Sequence, residues 1–227
     1  MIRVLKFIVG PLDTNTYLLY DEESRHAVLI DPGFDIDEFS EVLKWIERLR
    51  LEVDYAIATH GHFDHVYGVD LVKSVLGSKF IMHVADLEIA QRSMEWVRIW
   101  QMEPVEVPTP DIAIERDTTV AVPGIDLELL HTPGHTPGSI VVYVPSERML
   151  FSGDTLFCGT VGRTDLPGGN ERLLMQSLAR IFRELPEDTI VYPGHGPSTS
   201  LKRERRANIF VEEALRLYGA DKERADG

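Results

Sequence analysis

Five of the chain's eight histidines fall in three short, glycine-containing segments, each following an apolar stretch. They are His60-Gly61-His62-Phe63-Asp64-His65, Pro133-Gly134-His135 and Pro193-Gly194-His195-Gly196-Pro197. Neutral imidazole is the commonest protein ligand for a metal ion. The first segment offers four donors in six residues, more than one tetrahedral ion needs. Its spacing differs from the His-Glu-x-x-His of a helical zinc protease, whose histidines sit one helical turn apart. Here His60 and His62 are two apart at the end of a strand and project to the same side, while Asp64 and His65 lie on the turn that opens a helix. Adding His135, His195 and the Asp154 of Phe151-Ser152-Gly153-Asp154 gives seven candidate ligands, five imidazoles and two carboxylates. A catalytic zinc takes three protein ligands plus water, so seven fit two ions if one carboxylate bridges them. Two divalent ions against two carboxylates and a bridging hydroxide keep a net positive charge, suited to polarising a carbonyl or phosphoryl oxygen.

Taken alone, His135 or His195 reads as a hydrogen-bonded loop histidine. The His-x-His-x-Asp-His string does not, because crowding polar groups at a strand end serves no packing purpose and costs solvation. His26, His83 and His131 stand outside the three segments and are read as structural.

These side chains need a rigid frame. Residues 3–9, 16–20 and 27–30 are apolar and β-branched, are separated by Gly10-Pro11 and by turn residues, and read as neighbouring antiparallel strands. Phe39, Val42, Leu43, Ile46 and Leu49 recur at helical spacing, so a helix runs from Asp37 to near Arg50. A strand over 53–59 carries the first histidine string, and a helix over 66–76 follows it and stops at Gly77. Residues 79–83 predict a strand, 85–100 a helix, and 105–110 a proline-broken loop. The second half repeats the theme, with strands at 119–122, 127–131, 140–144 and 149–151, a helix at 170–183, a strand at 189–192 and a last helix after Ser200. The pattern predicts two similar α/β halves with their sheets packed together and helices outside. No linker-like shift in composition interrupts the 227 residues, so 1–227 is read as one domain.

With 44% apolar residues the chain can build a sizeable core, and disorder is expected only over 221–227. Lys and Arg number 23 against 37 Asp and Glu, a formal net charge of −14, which repels nucleic acid and anionic lipid. No apolar run is long enough to span a membrane. A single cysteine, Cys158, and a start unlike a signal peptide point to the cytoplasm. The expected partner is a small-molecule substrate rather than nucleic acid or membrane, and the oligomeric state is left open.

The histidine segments, with Asp31-Pro32-Gly33, His131-Thr132-Pro133-Gly134-His135-Thr136-Pro137-Gly138-Ser139 and Ser152-Gly153-Asp154-Thr155-Leu156-Phe157, resemble the metallo-β-lactamase superfamily. Within it they are most similar to the short, glyoxalase II-like (hydroxyacylglutathione hydrolase-like) members. The matching segments span most of the chain in order. The resemblance implies an α/β fold, a four-layer αββα sandwich with the metal site at one edge of the sheets. It implies that His60, His62 and His135 hold a first metal, that Asp64, His65 and His195 hold a second, and that Asp154 bridges them. Asp31 would orient the site by hydrogen bonds without ligating. A metal-bridging hydroxide would attack an acyl carbon, a thioester of the hydroxyacylglutathione class, with Asp64 and Asp154 as the catalytic carboxylates. Two divalent ions are implied, zinc first, and iron or manganese suit the same ligands.

A full-length glyoxalase II carries a helical C-terminal part that binds glutathione, whereas about thirty residues follow His195 here. The stretch Gly162-Arg163-Thr164-Asp165 resembles one shared with the superfamily's persulfide dioxygenases, where equivalents of His60, His135 and Asp154 hold one iron. Arg163 is therefore a candidate for binding a substrate carboxylate, or else it pairs with Asp165. The alternatives to thioester hydrolysis are that mononuclear-iron dioxygenase and a non-enzymatic metal-binding scaffold. A β-lactamase is disfavoured by Asp154, which stands where many carry a cysteine, and a nuclease by the acidic surface. Cys158 is read as a buried structural thiol, the basic run over 202–206 as a solvated helix face, and Trp45, Trp96 and Trp100 as helical core or interface aromatics.

Overall fold

The computed structural model describes residues 1–219, so the disorder expected over 221–227 lies outside the described residues. The first sheet is built from β1 (Ile2–Val9), β2 (Thr14–Asp21), β3 (His26–Ile30), β4 (Glu52–Ile57), β5 (Lys79–His83) and β6 (Ile112–Ile114), in that spatial order. It opens as an antiparallel meander and continues as parallel strands from β3 onward. Parallel neighbours require a crossover. Here α1 (Ile36–Leu49) joins β3 to β4, while α2 (Phe63–Val66) and α3 (Val69–Leu76) join β4 to β5. The second sheet repeats the scheme. Strands β7 (Thr118–Val122), β8 (Ile125–His131), β9 (Ile140–Val144) and β10 (Met149–Gly153) form a meander, and β10 pairs in parallel with β13 (Ile190–Pro193). Between them the chain makes a two-strand hairpin, β11 (Leu156–Phe157) with β12 (Thr160–Val161), and helix α5 (Glu171–Glu184). β14 (Thr199–Ser200) closes the far edge.

One face of each sheet meets the other. Tyr17, Leu19, Val28, Ile30, Ile57 and Ile81 of the first pack with Leu127, Leu129, Ile140, Val142, Val144 and Phe151 of the second in one buried cluster. The opposite faces are covered by helices. Phe39, Val42 and Ile46 of α1 lie on Leu18, Leu29 and Ala56, and Leu174, Leu178 and Phe182 of α5 lie on Val141, Leu150 and Val191. This is the expected αββα sandwich, and the two halves share a plan of meander followed by crossover. Because β2 is covered on both faces, it is buried at every position and shows no alternation.

Local chemistry sets the helix ends. Asp35 caps α1 in a reciprocal box with Glu38, and Arg50 closes it in the left-handed conformation at φ 54°. Three expected helices are broken. The segment over 66–76 is preceded by a separate turn, α2, and Gly68 between them packs where a Cβ would meet the Phe34 ring at 2.5 Å. The segment over 85–100 divides into a 3₁₀ turn Val84–Asp86, helix α4 (Leu87–Ser93) and a second 3₁₀ turn Trp96–Trp100. The Ser93 hydroxyl bonds the Gly61 carbonyl at 3.0 Å and the Ala90 carbonyl at 3.2 Å, so contacts outside the helix compete with its continuation. The last helix splits into α6 (Leu201–Ala207) and α7 (Ile209–Tyr218), because buried Asn208 caps the second while donating to Thr160 and Glu204. Among the described residues no helix is long and apolar enough to cross a membrane.

Leu129 is fully buried between the sheets and Trp45 is 37% exposed on α1. Leu129→Ala is expected to cost about 2–5 kcal/mol and Trp45→Ala less than about 1 kcal/mol. Urea unfolding midpoints check the contrast.

Candidate metal centre

β8, β10 and β13 run in one direction, as do β3 and β4, and the sequence segments singled out above lie just beyond the C-terminal ends of these strands. Asp31 follows β3 at φ 52°, an uncommon backbone state for a residue with a Cβ. Ala58-Thr59-His60 leaves β4, His62 stands at the N-terminus of α2, and Asp64 and His65 are buried in that turn. His135 lies in the loop from β8 to β9, Asp154 follows β10, and His195 follows β13. Gly194 permits the approach of the last two loops, since a Cβ there would meet Asp154 Oδ1 at 2.2 Å and His65 Cε1 at 2.8 Å.

All seven candidate ligands come together. His62 Nδ1 lies 3.0 Å from His60 Nε2 and 2.9 Å from His135 Nε2. Asp64 Oδ2 lies 3.3 Å from both His65 Nε2 and His195 Nε2. Asp154 stands between the two groups, with Oδ1 3.6 Å from His65 Nε2 and Oδ2 3.5 Å from His135 Nε2 and 3.6 Å from His195 Nε2. His60, His62 and His135 form one cluster able to hold an ion, and Asp64, His65 and His195 another.

The outer nitrogens decide what faces inward. His135 Nδ1 bonds the Arg163 carbonyl at 2.8 Å and His195 Nδ1 the Leu12 carbonyl at 3.1 Å. A carbonyl accepts, so both rings carry their proton on Nδ1 and present a bare Nε2. The Thr59 hydroxyl donates to Asp31 Oδ2 at 2.9 Å, and its oxygen is left to accept from His60 Nδ1 at 3.1 Å. His65 Nδ1 faces the same Asp31 oxygen at 3.0 Å. One carboxylate thus orients a ring in each cluster, and it is itself held by the Thr59 amide at 2.7 Å. The consequence is a set of lone pairs aimed at each other and at carboxylate oxygens. His65 Nε2 and Asp154 Oδ1 are buried without any hydrogen-bond partner. Such groups are costly unless a cation joins them, and a divalent ion in each cluster fits the donors present.

The electrostatics divide accordingly. Burial, followed by repulsion from His65 and His135, holds His60 well below its ordinary pKa, and burial with His135 lowers His62 to about 4. Those rings stay neutral, the form that can donate a lone pair. Burial opposes charge on His65, yet Asp64, Asp31 and Asp154 together raise its pKa well above the ordinary value. Burial also works against ionisation of Asp64, yet His65 and His195 bring its pKa well below the usual range.

Asp86 was not singled out by sequence, because its role is made by contacts across the fold. Its buried carboxylate accepts from the Gly61 amide at 2.8 Å, the Thr136 hydroxyl at 2.6 Å and the Gly138 amide at 2.6 Å. It therefore ties the loop of His60 and His62 to the loop of His135. Thr14, whose hydroxyl bonds Asp64 Oδ2 at 2.7 Å, was also missed. Trp96 stands 5.8 Å from the His62 ring, and with Leu12, Phe157, Val161 and Leu166 it gives an otherwise polar cavity of about 440 Å³ an apolar wall. Arg163 lines this cavity with its side chain paired to Asp165 through two bonds of 2.7 Å. His26 pairs with Asp54, and His83 stacks on His131 at 4.1 Å; none of the three joins the clusters of the seven. One expectation is corrected: Cys158 is half-buried against the Arg203 guanidinium rather than a core thiol. The basic run is a solvated face as expected, with Lys202, Arg203 and Arg206 exposed, and Arg203 and Arg205 pair with Glu204 and Glu187.

Residues 9–195 match the family model described as the metallo-beta-lactamase superfamily. The hydroxyacylglutathione hydrolase GloC of Haemophilus influenzae is 33% identical over 213 residues, 89% of this chain and 95% of its own length. The crystal structure of BLEG-1 B3 metallo-beta-lactamase superposes with a TM-score of 0.83 at 33% identity, covering 93% of this chain and 99% of that one. TTHA1623 in a di-iron-bound form gives 0.80 at 36% identity, covering 91% of this chain and 100% of that one.

Asp86→Ala would leave three buried donors unpaired. It is expected to cost about 3 kcal/mol or more and to speed amide exchange at Gly61 and Gly138. Unaltered exchange at both would mean that the two loops hold themselves.

Proposed function

The chain belongs to the metallo-beta-lactamase superfamily, and on that premise we propose that it is a cytoplasmic binuclear metallohydrolase cleaving a thioester of the hydroxyacylglutathione class. The observation that carries this is the pair of donor clusters with Asp154 facing both. In this reading His60, His62 and His135 would hold one divalent ion and Asp64, His65 and His195 the other, with Asp154 serving both clusters. Zinc is the first choice; the ligands suit iron and manganese equally, and the related TTHA1623 holds two irons. When bound, the ions supply a water acidified toward neutrality and Lewis-acid polarisation of the acyl oxygen.

The chain's own residues do the rest. Asp31 and Thr59 fix the rings of His60 and His65, and the Arg163 and Leu12 carbonyls fix those of His135 and His195. Asp64, with its depressed pKa, stays ionised at neutral pH. It is therefore an acceptor that orients water, not a proton donor. Leu12, Trp96 and Phe157 give the cavity apolar walls beside the donor set. Water adds to the acyl carbon, the carbon–sulfur bond breaks, and a carboxylic acid and a thiol leave. In this reading Arg163, which lines the cavity and pairs with Asp165, would receive a carboxylate of the thiol portion in exchange for Asp165. GloC, a hydroxyacylglutathione hydrolase by name, supports this substrate class.

A mononuclear-iron persulfide dioxygenase would need only His60, His135 and Asp154. It would leave Asp64, His65 and His195 converging on nothing, which is why the hydrolase is preferred. The likeness to BLEG-1 makes β-lactams the next substrates to assay.

Purified protein is expected to carry two divalent ions per chain, to hydrolyse S-lactoylglutathione, and to lose the activity on chelation. His62→Ala and Asp154→Ala should abolish turnover while leaving the unfolding transition in place; full thioesterase activity in either would refute the assignment. Oxygen uptake with glutathione persulfide and one iron per chain would favour the dioxygenase instead. Arg163→Ala is expected to raise KM for glutathione thioesters with kcat little changed.

A further inference from the structure

A second cavity, of about 510 Å³, adjoins the metal cavity and shares Trp96 with it as a wall. The chain at 166–168 runs along both, with Leu166 lining the metal cavity and Pro167 and Gly168 the neighbouring one. Ile89, Trp96, Pro137 and Pro167 give this groove an apolar lining. Its floor is fixed, because Pro137 lies between Thr136 and Gly138, both bonded to buried Asp86. Its charged residues, Glu88 and Arg92 on α4 and Glu95 just after it, are exposed. Glu88 and Arg92 neutralise one another at 2.6 Å, so Glu95 leaves the rim with a negative charge.

We infer that this groove is a subsite for an uncharged alkyl arm on the acyl side of the substrate, so that the preferred thioester carries a chain longer than a lactoyl group. The inference rests on the thioester reading above. It follows from three features: adjacency to the metal cavity along Trp96 and residues 166–168, an apolar stretch at Ile89, Trp96, Pro137 and Pro167, and an anionic rim that disfavours a terminal carboxylate. A chain entering the groove covers apolar surface that is otherwise wet, and each methylene buried contributes through the hydrophobic effect.

The test is a series of S-acylglutathiones from acetyl to octanoyl with the metal-loaded enzyme. kcat/KM is expected to rise about two- to fourfold for each methylene that reaches the groove. Ile89→Phe, which fills the groove, should flatten the series, and Ile89→Ala, which enlarges it, should move the optimum to longer chains. A flat series in an enzyme that turns over the acetyl compound, or a profile that neither variant alters, would overturn the subsite while leaving the hydrolase reading intact. Calorimetry with S-alkylglutathione thioethers, which cannot be hydrolysed, reads the groove separately. Binding should tighten with alkyl length and lose that dependence in Ile89→Phe; no tightening would overturn the subsite. Tightening without turnover of any thioester would support the groove and sink the thioester reading.

Discussion

The structure depends on one constraint: donors from four separate loops must point inward at contact distance from one another, an arrangement their own charges and lone pairs oppose. The protein meets it by tying down the far side of the rings. The proton of His135 is bound to the Arg163 carbonyl and that of His195 to the Leu12 carbonyl, while the Asp31 carboxylate serves His65 directly and His60 through Thr59. A ring so tethered cannot turn its lone pair away from its neighbours. The energy for holding this arrangement comes from elsewhere, chiefly from the apolar interface between the two sheets, where Leu19, Ile30, Leu129 and Val142 are fully buried. Backbone strain at Asp31 is tolerated for the same reason, since the surrounding contacts over-determine its position.

What the sequence made legible was local. The His-x-His-x-Asp-His string packs four donors into one strand-to-helix junction, so their convergence needs only a turn of chain, and glycine-flanked His135 and His195 stood out because each follows an apolar strand. The amphipathic helices and the meander strands were equally plain from their periods. Asp86 and Trp96 were not. Nothing near Asp86 in the chain announces that three donors from segments 25 to 52 residues away will meet its carboxylate. The break within 85–100 was hidden for the same reason, because it answers to the Gly61 carbonyl reached by Ser93. β6 and β14, of three and two residues, are too short to leave a periodic signal and exist by pairing with stronger neighbours.

Glu204 shows how a charge pattern can mislead. In sequence it sits within a run of Lys and Arg that looks like a solvated face, yet its side chain is fully buried. It accepts from the Gly159 amide at 2.8 Å, the Thr199 hydroxyl at 2.5 Å and Asn208 Nδ2 at 3.0 Å. With those donors and the Arg203 guanidinium at 2.8 Å, the buried carboxylate is held in its charged form. Its effect is to bind the hairpin of β11 and β12 to the C-terminal helices. That hairpin carries Phe157 and Val161, which line the metal cavity, so the last helices support the site from behind.

The two cavities and the clusters are mechanically linked through one short segment. Arg163 uses its backbone carbonyl to orient His135 and its side chain to line the metal cavity, while three residues later Leu166 lines the same cavity and Pro167 the groove beside it. On the proposed reading, a substrate carboxylate replacing Asp165 at Arg163 would bear on the same peptide whose carbonyl holds the His135 ring. On the other flank, Asp86 couples the groove floor at Pro137 to the loop of His60 and His62. On the proposed reading, contacts made by the remote ends of a substrate would bear on segments bonded to the donor set, which is where binding energy can be turned to differential stabilisation of the transition state.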